Sequence, residues 1–254
     1  MAQLNPRQIA QYQSEGYTIC RDVLTPAEIA ALRTRTENIA TGALPFPETC
    51  LEFDPHAPRE RHIDNLRKIN SPALHDTFFM QHAARENLLT AAEAVLGPDL
   101  KFFADQIFIK GPGGMEKTYH QDSAYFHIEP MAILTIWVAL DDVTLENGCL
   151  WVVPGTHLEG LKDHDEAWMV GDRQDQKVPD RHIDRTREKP ILLKAGDCSL
   201  HHSLLLHRSG PNQTKTRRRG LATHYMSARS HWTGAPADKP DYPLLKGREY
   251  PNCV

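Results

Sequence analysis

Long apolar runs and blocks of basic residues are both missing from this sequence. No stretch approaches the roughly 20 apolar residues that span a bilayer, and the polar start MAQLNPRQIAQYQ lacks the apolar core of a signal peptide. Basic residues never run beyond Arg217-Arg218-Arg219, and the formal charge is −4. We therefore expect neither a membrane nor a nucleic acid as partner.

Cysteine is too scarce and too scattered for a disulfide framework. The five cysteines are Cys20, Cys50, Cys149, Cys198 and Cys253, an odd set without a CxxC motif. Such a set favours a reducing compartment, so we expect a cytoplasmic protein. At 254 residues, the chain is long enough for one large domain or two small ones.

Helix signals occupy the first hundred residues. Asn5-Pro6 is an N-cap followed by proline at the first helical position, and Thr25-Pro26-Ala27-Glu28 is a capping box. Gly16 and Gly42 end the two helices that these signals begin. A further helical stretch is predicted from about Ser71 to Leu96.

Strand signals follow from Lys101 onwards, as short apolar segments separated by Gly, Pro, Asn and Asp. The predicted strands are 101–110, 132–140, 149–153, 190–194, 198–207 and 219–227. Helices first and strands after predict an α+β chain in which helices flank a β-sandwich or barrel. Two long loops, 43–66 and 155–189, interrupt this pattern, and the second is predicted to contact substrate.

A His-x-Asp pattern occurs three times, as His62-Ile63-Asp64, His120-Gln121-Asp122 and His182-Ile183-Asp184. On a strand, residues i and i+2 point to the same side, so such a pair offers two ligands to one point. The first and third pairs lie among arginines, where ion pairing is the simpler explanation. The second has aromatic neighbours, which suit a lined pocket, and we select it as the candidate metal clamp.

The third ligand is predicted to be His207, which ends an apolar strand before the turn Gly210-Pro211-Asn212. A hairpin with Asn212-Gln213 as its two-residue loop places Arg218 opposite His207 on the same face. Gly220 and Ala222 continue that face, and their small size is expected to leave room for a bound molecule.

Two histidines and one carboxylate form the facial triad of non-haem Fe(II) oxygenases, which leaves three positions for co-substrate and O2. An arginine beside the metal offers a planar fork that grips a carboxylate. Together these parts predict a dicarboxylate-like co-substrate that chelates the metal at one end and meets Arg218 at the other.

Several longer stretches carry a family resemblance. YHQD (119–122), WVALDDVTLENGCLWVVPGTH (137–157) and LLLHRSGPNQTKTRRR (204–219) resemble the phytanoyl-CoA dioxygenase family of Fe(II)/2-oxoglutarate-dependent oxygenases. The resemblance covers nearly the whole chain. It implies a double-stranded β-helix (jelly-roll, cupin-like) core with flanking N-terminal helices. It also implies a single domain over 1–254, with a helical part at about 1–98 and the jelly roll at about 99–230.

The resemblance also implies roles for individual residues. His120, Asp122 and His207 would ligate Fe(II), and Arg218 would bind the distal carboxylate of 2-oxoglutarate. Further co-substrate contacts would be Thr135, Trp137 and Gln106. The alternation of side chains along a strand agrees with the roles of Thr135 and Trp137, because the opposite face is aliphatic and is formed by Leu134, Ile136, Val138 and Leu140. Candidate substrate contacts are Lys68, Lys110, Gln121, Tyr125, Phe126 and Trp151, while His157 is expected to form a structural hydrogen bond.

By this resemblance, the enzyme would use O2 and 2-oxoglutarate and release succinate and CO2. It would hydroxylate, or otherwise oxidise, an unactivated C–H bond of a small organic molecule. Two alternatives are a cupin-like non-oxidative metal enzyme such as an isomerase, and a 2-oxoglutarate-binding homologue without catalysis. Arg218 and Thr135 argue against the first, and the intact triad argues against the second. The primary substrate stays open, as does the choice between a monomer and a homodimer.

Replacing Asp122 by alanine is expected to abolish coupled turnover, because the metal would lose its only carboxylate ligand. Succinate release in the presence of substrate measures this. Activity equal to that of the wild type would show that the triad assignment is wrong.

Overall fold

Two main antiparallel sheets, two small two-stranded sheets and a set of helices lie within residues 3–168 and 176–254, the ranges that the computed structural model describes. The helices are α1 (Pro6–Glu15), α2 (Pro26–Thr41), α3 (Pro72–His75), α4 (Thr77–Ala83) and α5 (Glu86–Leu96). The first eight strands are β1 (Tyr17–Cys20), β2 (Leu51–Phe53), β3 (Leu66–Asn70), β4 (Leu100–Lys110), β5 (Lys117–His120), β6 (Ile128–Glu129), β7 (Leu134–Ala139) and β8 (Leu150–Val152). The other eight are β9 (Glu166–Ala167), β10 (Gln176–Lys177), β11 (Lys189–Ile191), β12 (Cys198–His202), β13 (His207–Ser209), β14 (Arg218–Ser227), β15 (His231–Trp232) and β16 (Leu244–Lys246).

The helix signals at the N-terminus are confirmed. Asn5 and Thr25 both form capping boxes, and Gly16 and Gly42 end their helices in the left-handed conformation. The stretch predicted as helical from Ser71 to Leu96 is instead three helices. The side chain of Asp76 accepts a hydrogen bond from the Phe78 amide and so begins a new helix. No helix in the described ranges is long and apolar enough to cross a bilayer.

The larger sheet has the order β1-β12-β7-β14-β4-β3-β2, and β16 pairs with β4. One face of this sheet packs against the helices through Leu134, Ile136 and Val138 of β7, which are fully buried with Leu200 and Leu221 in the main core. The predicted aliphatic face of β7 is therefore confirmed. It leaves Thr135 and Trp137 on the opposite face, towards the second sheet.

The smaller sheet has the order β11-β8-β13-β5. A second core joins the two sheets, in which Trp137 packs with Val152 and Leu205. The prediction of one strand over 198–207 is wrong, because β12 belongs to the larger sheet and β13 to the smaller one. A turn that the Leu205 amide closes on the carbonyl of His202 separates them.

The predicted hairpin between His207 and Arg218 is also wrong. His207 pairs with His120 and Val152 in the smaller sheet, whereas Arg218 pairs with Lys110 in the larger sheet. The reason is Asn212, whose side-chain amide donates to backbone carbonyls of Lys110, Gly111 and Thr216. These bonds hold residues 210–217 as a wide connection between sheets and prevent a tight turn.

A buried carboxylate ties the helices to the larger sheet. Asp105 of β4 is only 2% exposed, and its two oxygens accept from the Ala73 amide at 3.2 and 3.0 Å. Burial raises the pKa of Asp105 to about 7, although the hydrogen bond from Ala73 opposes the rise. The protonated form is therefore favoured in the folded protein relative to the unfolded chain.

This raised pKa predicts a stability change with pH. Stability from Asp105 is fully present below its unfolded pKa of about 3.9 and is lost as the pH rises to about 7, by at most about 4 kcal/mol. Asp105→Asn should remove this dependence, so urea unfolding should show the variant gaining stability over the wild type from pH 4 to pH 8. Asp238→Asn, at an exposed position, is the control. A difference between Asp105→Asn and wild type that does not vary with pH would contradict the account.

Candidate active site

A cavity of about 340 Å³ lies between the two sheets. Most of the site residues predicted from the sequence line it, namely His120, Asp122, His207, Arg218, Thr135, Trp137, Gln106, Lys68, Lys110, Tyr125 and Phe126. Two predicted residues, Gln121 and Trp151, are not among its lining residues. The sequence therefore locates the walls well but misplaces two side chains.

Gln121 is fully buried and is used structurally, so its assignment as a substrate contact is corrected. Its amide nitrogen donates to the carbonyls of Gly160 (3.0 Å) and Leu204 (2.6 Å), and its oxygen accepts from the Lys162 amide (2.7 Å). Every polar atom of the side chain is thus committed. These bonds attach Gln121, which directly follows β5, to the 160–162 loop and to the turn before His207.

Trp151 is likewise corrected. This side chain is not among the residues that line the cavity, and its indole ring lies 5.0 Å from the guanidinium carbon of Arg208. Leu150, its neighbour on β8, lines the cavity instead. The alternation of side chains along a strand explains the exchange.

The candidate metal ligands converge at one point of the cavity. Nε2 of His120 lies 3.7 Å from Oδ1 of Asp122, and Nε2 of His207 lies 3.6 Å from the same oxygen. Among the described residues, His120, Asp122 and His207 are the one group whose ligand atoms all fall within 4.8 Å of one another. Asp122 begins a 3-10 turn, but Gln121 remains extended (φ −121°, ψ 131°), so both ligands still point to one side.

Backbone carbonyls fix the tautomers of both histidines. Nδ1 of His120 lies 2.9 Å from the carbonyl of Thr118, and Nδ1 of His207 lies 2.9 Å from that of Leu205. Since a carbonyl only accepts, each Nδ1 carries the proton and each Nε2 presents its lone pair to the cavity. This is the arrangement that a metal ligand requires.

The electrostatics agree with a metal site. Burial lowers the pKa of His207 and holds that of His120 well below its usual value, so both rings are neutral. Burial alone would raise the pKa of Asp122, but the surrounding histidines, His207 foremost, hold it well below the usual range. An ionised carboxylate and two neutral imidazoles suit a divalent cation.

A chain of hydrogen bonds orients the carboxylate from behind. Oδ2 of Asp122 accepts from the hydroxyl of Thr135 (3.2 Å), which in turn lies 2.8 Å from Nδ1 of His224. Nε2 of His201 is 3.7 Å from the same oxygen. Sequence reasoning missed both His201 and His224. His224 continues the face of Gly220 and Ala222 at spacing i+2, and this periodicity could have identified it.

Arg218 is buried at the other end of the cavity. It is 2% exposed, and its Nη2 donates to the carbonyl of Gly148. Its Nε has no hydrogen-bond partner within residues 3–168 and 176–254. Among the described residues no carboxylate pairs with it. Burial lowers its pKa to about 10, which leaves it charged at neutral pH. A buried guanidinium in this state is a site for an anion.

Lys110 stands beside Arg218 as its cross-strand partner on β4. Its Nζ donates to the carbonyls of Ser209 (3.4 Å) and Gly210. Burial, followed by the nearby Arg218 charge, lowers the pKa of Lys110 well below its usual value. A bound anion would relieve the repulsion between the two side chains.

The indole of Trp137 fills the place next to Arg218. Its ring lies 5.3 Å from the guanidinium carbon, and a Cβ added to Gly220 would come within 1.8 Å of the ring. The prediction that Gly220 leaves space for a bound molecule is therefore wrong, because Trp137 occupies that space. Ala222 does line the cavity.

The remaining charged motifs pair elsewhere. Arg217 forms an ion pair with Asp64 (2.7 Å), and Arg219 forms one with Asp141 (2.8 Å). Asp184 accepts from the amide and the hydroxyl of Thr186. Arginine pairing therefore accounts for the His62-x-Asp64 motif, as predicted. His157 bonds the carbonyl of Gln13 at 3.2 Å, which matches its predicted structural role.

The donor set fits the two groups that the sequence implies. Two Nε2 lone pairs and one carboxylate oxygen can hold an iron ion. The buried Arg218, whose Nε is without a hydrogen-bond partner in the part of the chain that the structure describes, can hold one carboxylate of a dicarboxylate. Iron and 2-oxoglutarate therefore both have a place in the cavity.

Comparison with known proteins agrees with this site. The phytanoyl-CoA dioxygenase (PhyH) family model matches residues 12–220. The chain is 26% identical to the peroxisomal phytanoyl-CoA dioxygenase of Homo sapiens, over 87% of this chain and 68% of that one. It is 25% identical to a probable alpha-ketoglutarate-dependent hypophosphite dioxygenase of Stutzerimonas stutzeri, over 86% and 77%.

The fold also matches a solved structure. The epimerase SnoN, in complex with Fe3+, alpha ketoglutarate and nogalamycin RO, superposes with a TM-score of 0.71 at 23% identity, over 94% of this chain and 98% of that one. The two-sheet architecture is therefore the double-stranded β-helix of that protein. With the family match and the site geometry, this chain belongs to the phytanoyl-CoA dioxygenase family and is a 2-oxoglutarate-dependent non-haem iron dioxygenase.

Proposed function

We propose that this single-domain enzyme binds Fe(II) through His120, Asp122 and His207 and uses 2-oxoglutarate to oxidise a C–H bond of a small organic molecule. The observation that carries the proposal is that one cavity contains a convergent triad and a buried arginine that no carboxylate of the described ranges pairs with. The arginine is the feature that a non-oxidative cupin-like enzyme would not need. Five free cysteines support a reducing, cytoplasmic location.

When bound, the iron and 2-oxoglutarate supply the oxidising chemistry. One atom of O2 enters the product as a hydroxyl, the other enters succinate, and CO2 is released. The chain contributes position and exclusion of water. Arg218 anchors the distal carboxylate with Lys110 at its side, and Trp137 closes that end of the cavity.

Thr135 has a different proposed role from the one inferred by resemblance. Its single proton is donated to Asp122, and its oxygen accepts from Nδ1 of His224. Thr135 thus acts as a positioning residue for the carboxylate ligand. Gln106 remains a proposed co-substrate contact, because strand parity on β4 places it in the cavity with Phe108 and Lys110.

The first test is spectroscopic. Adding Fe(II) and then 2-oxoglutarate without oxygen should produce a visible charge-transfer band. His207→Ala should abolish the band, and Arg218→Ala should demand at least about ten-fold more 2-oxoglutarate, because a charge-assisted hydrogen bond is lost. His182→Ala, which removes the histidine of an unassigned His-x-Asp pair, should leave the band unchanged.

Three results would oppose the proposal. A wild-type protein without a band would favour a cupin-like enzyme that does not use 2-oxoglutarate. A band of normal intensity in His207→Ala would show that the third ligand lies elsewhere. A normal wild-type band without succinate formation towards any substrate would favour the non-catalytic homologue.

Gly220→Ala should weaken 2-oxoglutarate binding by displacing the Trp137 ring from its place beside Arg218, since the new Cβ would meet the indole at 1.8 Å. An increase of about ten-fold in the 2-oxoglutarate concentration at half-saturation is expected. The matched control is Gly210→Ala, whose Cβ would lie 3.8 Å from its nearest neighbour, the Cα of Gly148. Equal affinity in both variants would contradict the role given to Trp137.

A further inference from the structure

Two of the five cysteines face each other across the outermost pair of strands in the larger sheet. Strand β1 lies at the edge of that sheet and pairs with β12. In the register of these two strands, Cys20 lies directly opposite Cys198. Side chains of opposed residues project from the same side of a sheet. The two thiols are therefore neighbours, although they are far apart in the sequence.

The spacing of this pair suits a disulfide. Opposed Cα atoms in antiparallel strands lie about 4.5 or 5.5 Å apart. A disulfide joins Cα atoms that are roughly 4.4–6.8 Å apart. The two thiols are already in hydrogen-bonding contact. A bond between the two sulfur atoms thus requires little movement of the backbone.

Their contact makes the two thiols chemically unequal. The hydrogen bond with Cys198 lowers the pKa of Cys20, although burial opposes this. The same hydrogen bond, together with burial, raises the pKa of Cys198 well above its usual value. Since the thiolate is the reactive form of cysteine, Cys20 is the thiol that attacks first, and Cys198 is the thiol that reacts with it afterwards.

The pair is buried but lies at the end of its strands. Cys20 is 3% exposed and Cys198 is 1% exposed. Cys20 is the last residue of β1, and Cys198 is the first residue of β12. The next residue, Arg21, has a side chain that is 56% exposed. The end of an edge strand opens locally more often than the middle of a sheet, and a small oxidant can then reach both thiols.

The pair faces the helices and not the cavity. Cys20 and Cys198 belong to the main core, as does Leu200 of β12. His201, which follows Leu200, lines the cavity on the other side of the sheet. A bond between the two sulfur atoms therefore forms on the side of the sheet away from the metal ligands.

We propose that Cys20 and Cys198 are an oxidation site, at which hydrogen peroxide converts the two thiols into an intramolecular disulfide. The thiolate of Cys20 attacks one peroxide oxygen, the O–O bond breaks, and Cys20 becomes a sulfenic acid while hydroxide leaves. The sulfur of Cys198 then attacks that of Cys20 and gives up its proton. The S–O bond breaks, and water leaves. The two sulfur atoms together lose two electrons, and the peroxide gains them.

The bond has a mechanical consequence for the fold. It closes a loop that contains most of the chain and attaches β1, with helix α1 before it, to β12. A disulfide that closes a long loop stabilises the folded protein, chiefly by restricting the unfolded chain. Oxidation at this site is thus a protective modification that thiol reductants reverse.

The test uses the full-length chain, freed of iron by a chelator so that peroxide does not react with the metal. After treatment with hydrogen peroxide, the count of free thiols should fall from five to three, and dithiothreitol should restore it. Mass mapping of peptides should find Cys20 joined to Cys198. The midpoint of thermal unfolding should rise by about 5 °C or more.

Single variants test the order of the two steps. In Cys198→Ala, Cys20 should stop at the sulfenic acid, which dimedone labels. In Cys20→Ala, Cys198 should keep its thiol and take no label. Neither variant should show the rise in the unfolding midpoint. The matched control is Cys149→Ala, which removes a buried cysteine from the second core and should still form the disulfide.

Four results in the wild-type protein would overturn the proposal. One is a full thiol count at peroxide concentrations that oxidise the urea-denatured chain. Others are a disulfide that involves Cys50, Cys149 or Cys253, and a disulfide between two chains. The fourth is a bond between Cys20 and Cys198 that leaves the unfolding midpoint unchanged. Dimedone labelling of Cys198 in Cys20→Ala, without labelling of Cys20 in Cys198→Ala, would contradict the order of attack.

Discussion

A buried arginine, Arg218, to which the described part of the chain offers no carboxylate partner is the constraint on which the rest of this molecule depends. Removing a guanidinium from water costs several kcal/mol unless an anion compensates. Arg218 is nevertheless 2% exposed, with one carbonyl partner and a second cation, Lys110, next to it. The fold supports this arrangement by enclosing the charge between two sheets and placing Trp137 against it. The result is a cavity already arranged for a dicarboxylate.

The same cavity contains the triad, and hydrogen bonds from behind orient each of its three side chains. Carbonyl groups of the chain set the tautomers of His120 and His207, and Thr135 with His224 orients the carboxylate of Asp122. Gln121 lies between the ligands His120 and Asp122, and its side chain donates a hydrogen bond to the turn that precedes the third ligand, His207. The metal geometry is therefore built into backbone and buried side-chain hydrogen bonds.

Local rules predicted most of the fold and of the site. Helix caps depend on adjacent residues, and the alternation along β7 and β4 depends on spacing of two, so both could be read from the sequence. The ligand set and Arg218 followed from motif spacing and the family resemblance. Parity also placed Thr135, Trp137 and Gln106 correctly on the cavity face.

The predictions that were wrong concerned contacts between residues far apart in the sequence. Strand 198–207 splits between two sheets, and His207 and Arg218 never pair, because Asn212 stabilises a wide connection through bonds to residues far along the chain. Gln121 was misassigned since its partners, at 160–162 and 204, are remote in sequence. The space beside Gly220, predicted to hold a bound molecule, is filled by the indole of Trp137, which lies on a strand far away in sequence. The 155–189 loop lies partly outside the described residues, so its predicted contact with substrate stays a prediction.

A crystal structure grown without oxygen in the presence of Fe(II) and 2-oxoglutarate would test the central claim most directly. The account predicts one iron ion bound to Nε2 of His120, a carboxylate oxygen of Asp122 and Nε2 of His207. It also predicts the distal carboxylate of 2-oxoglutarate on the guanidinium of Arg218. A co-substrate whose distal carboxylate lies elsewhere in the cavity, with Arg218 left without an anion, would contradict it.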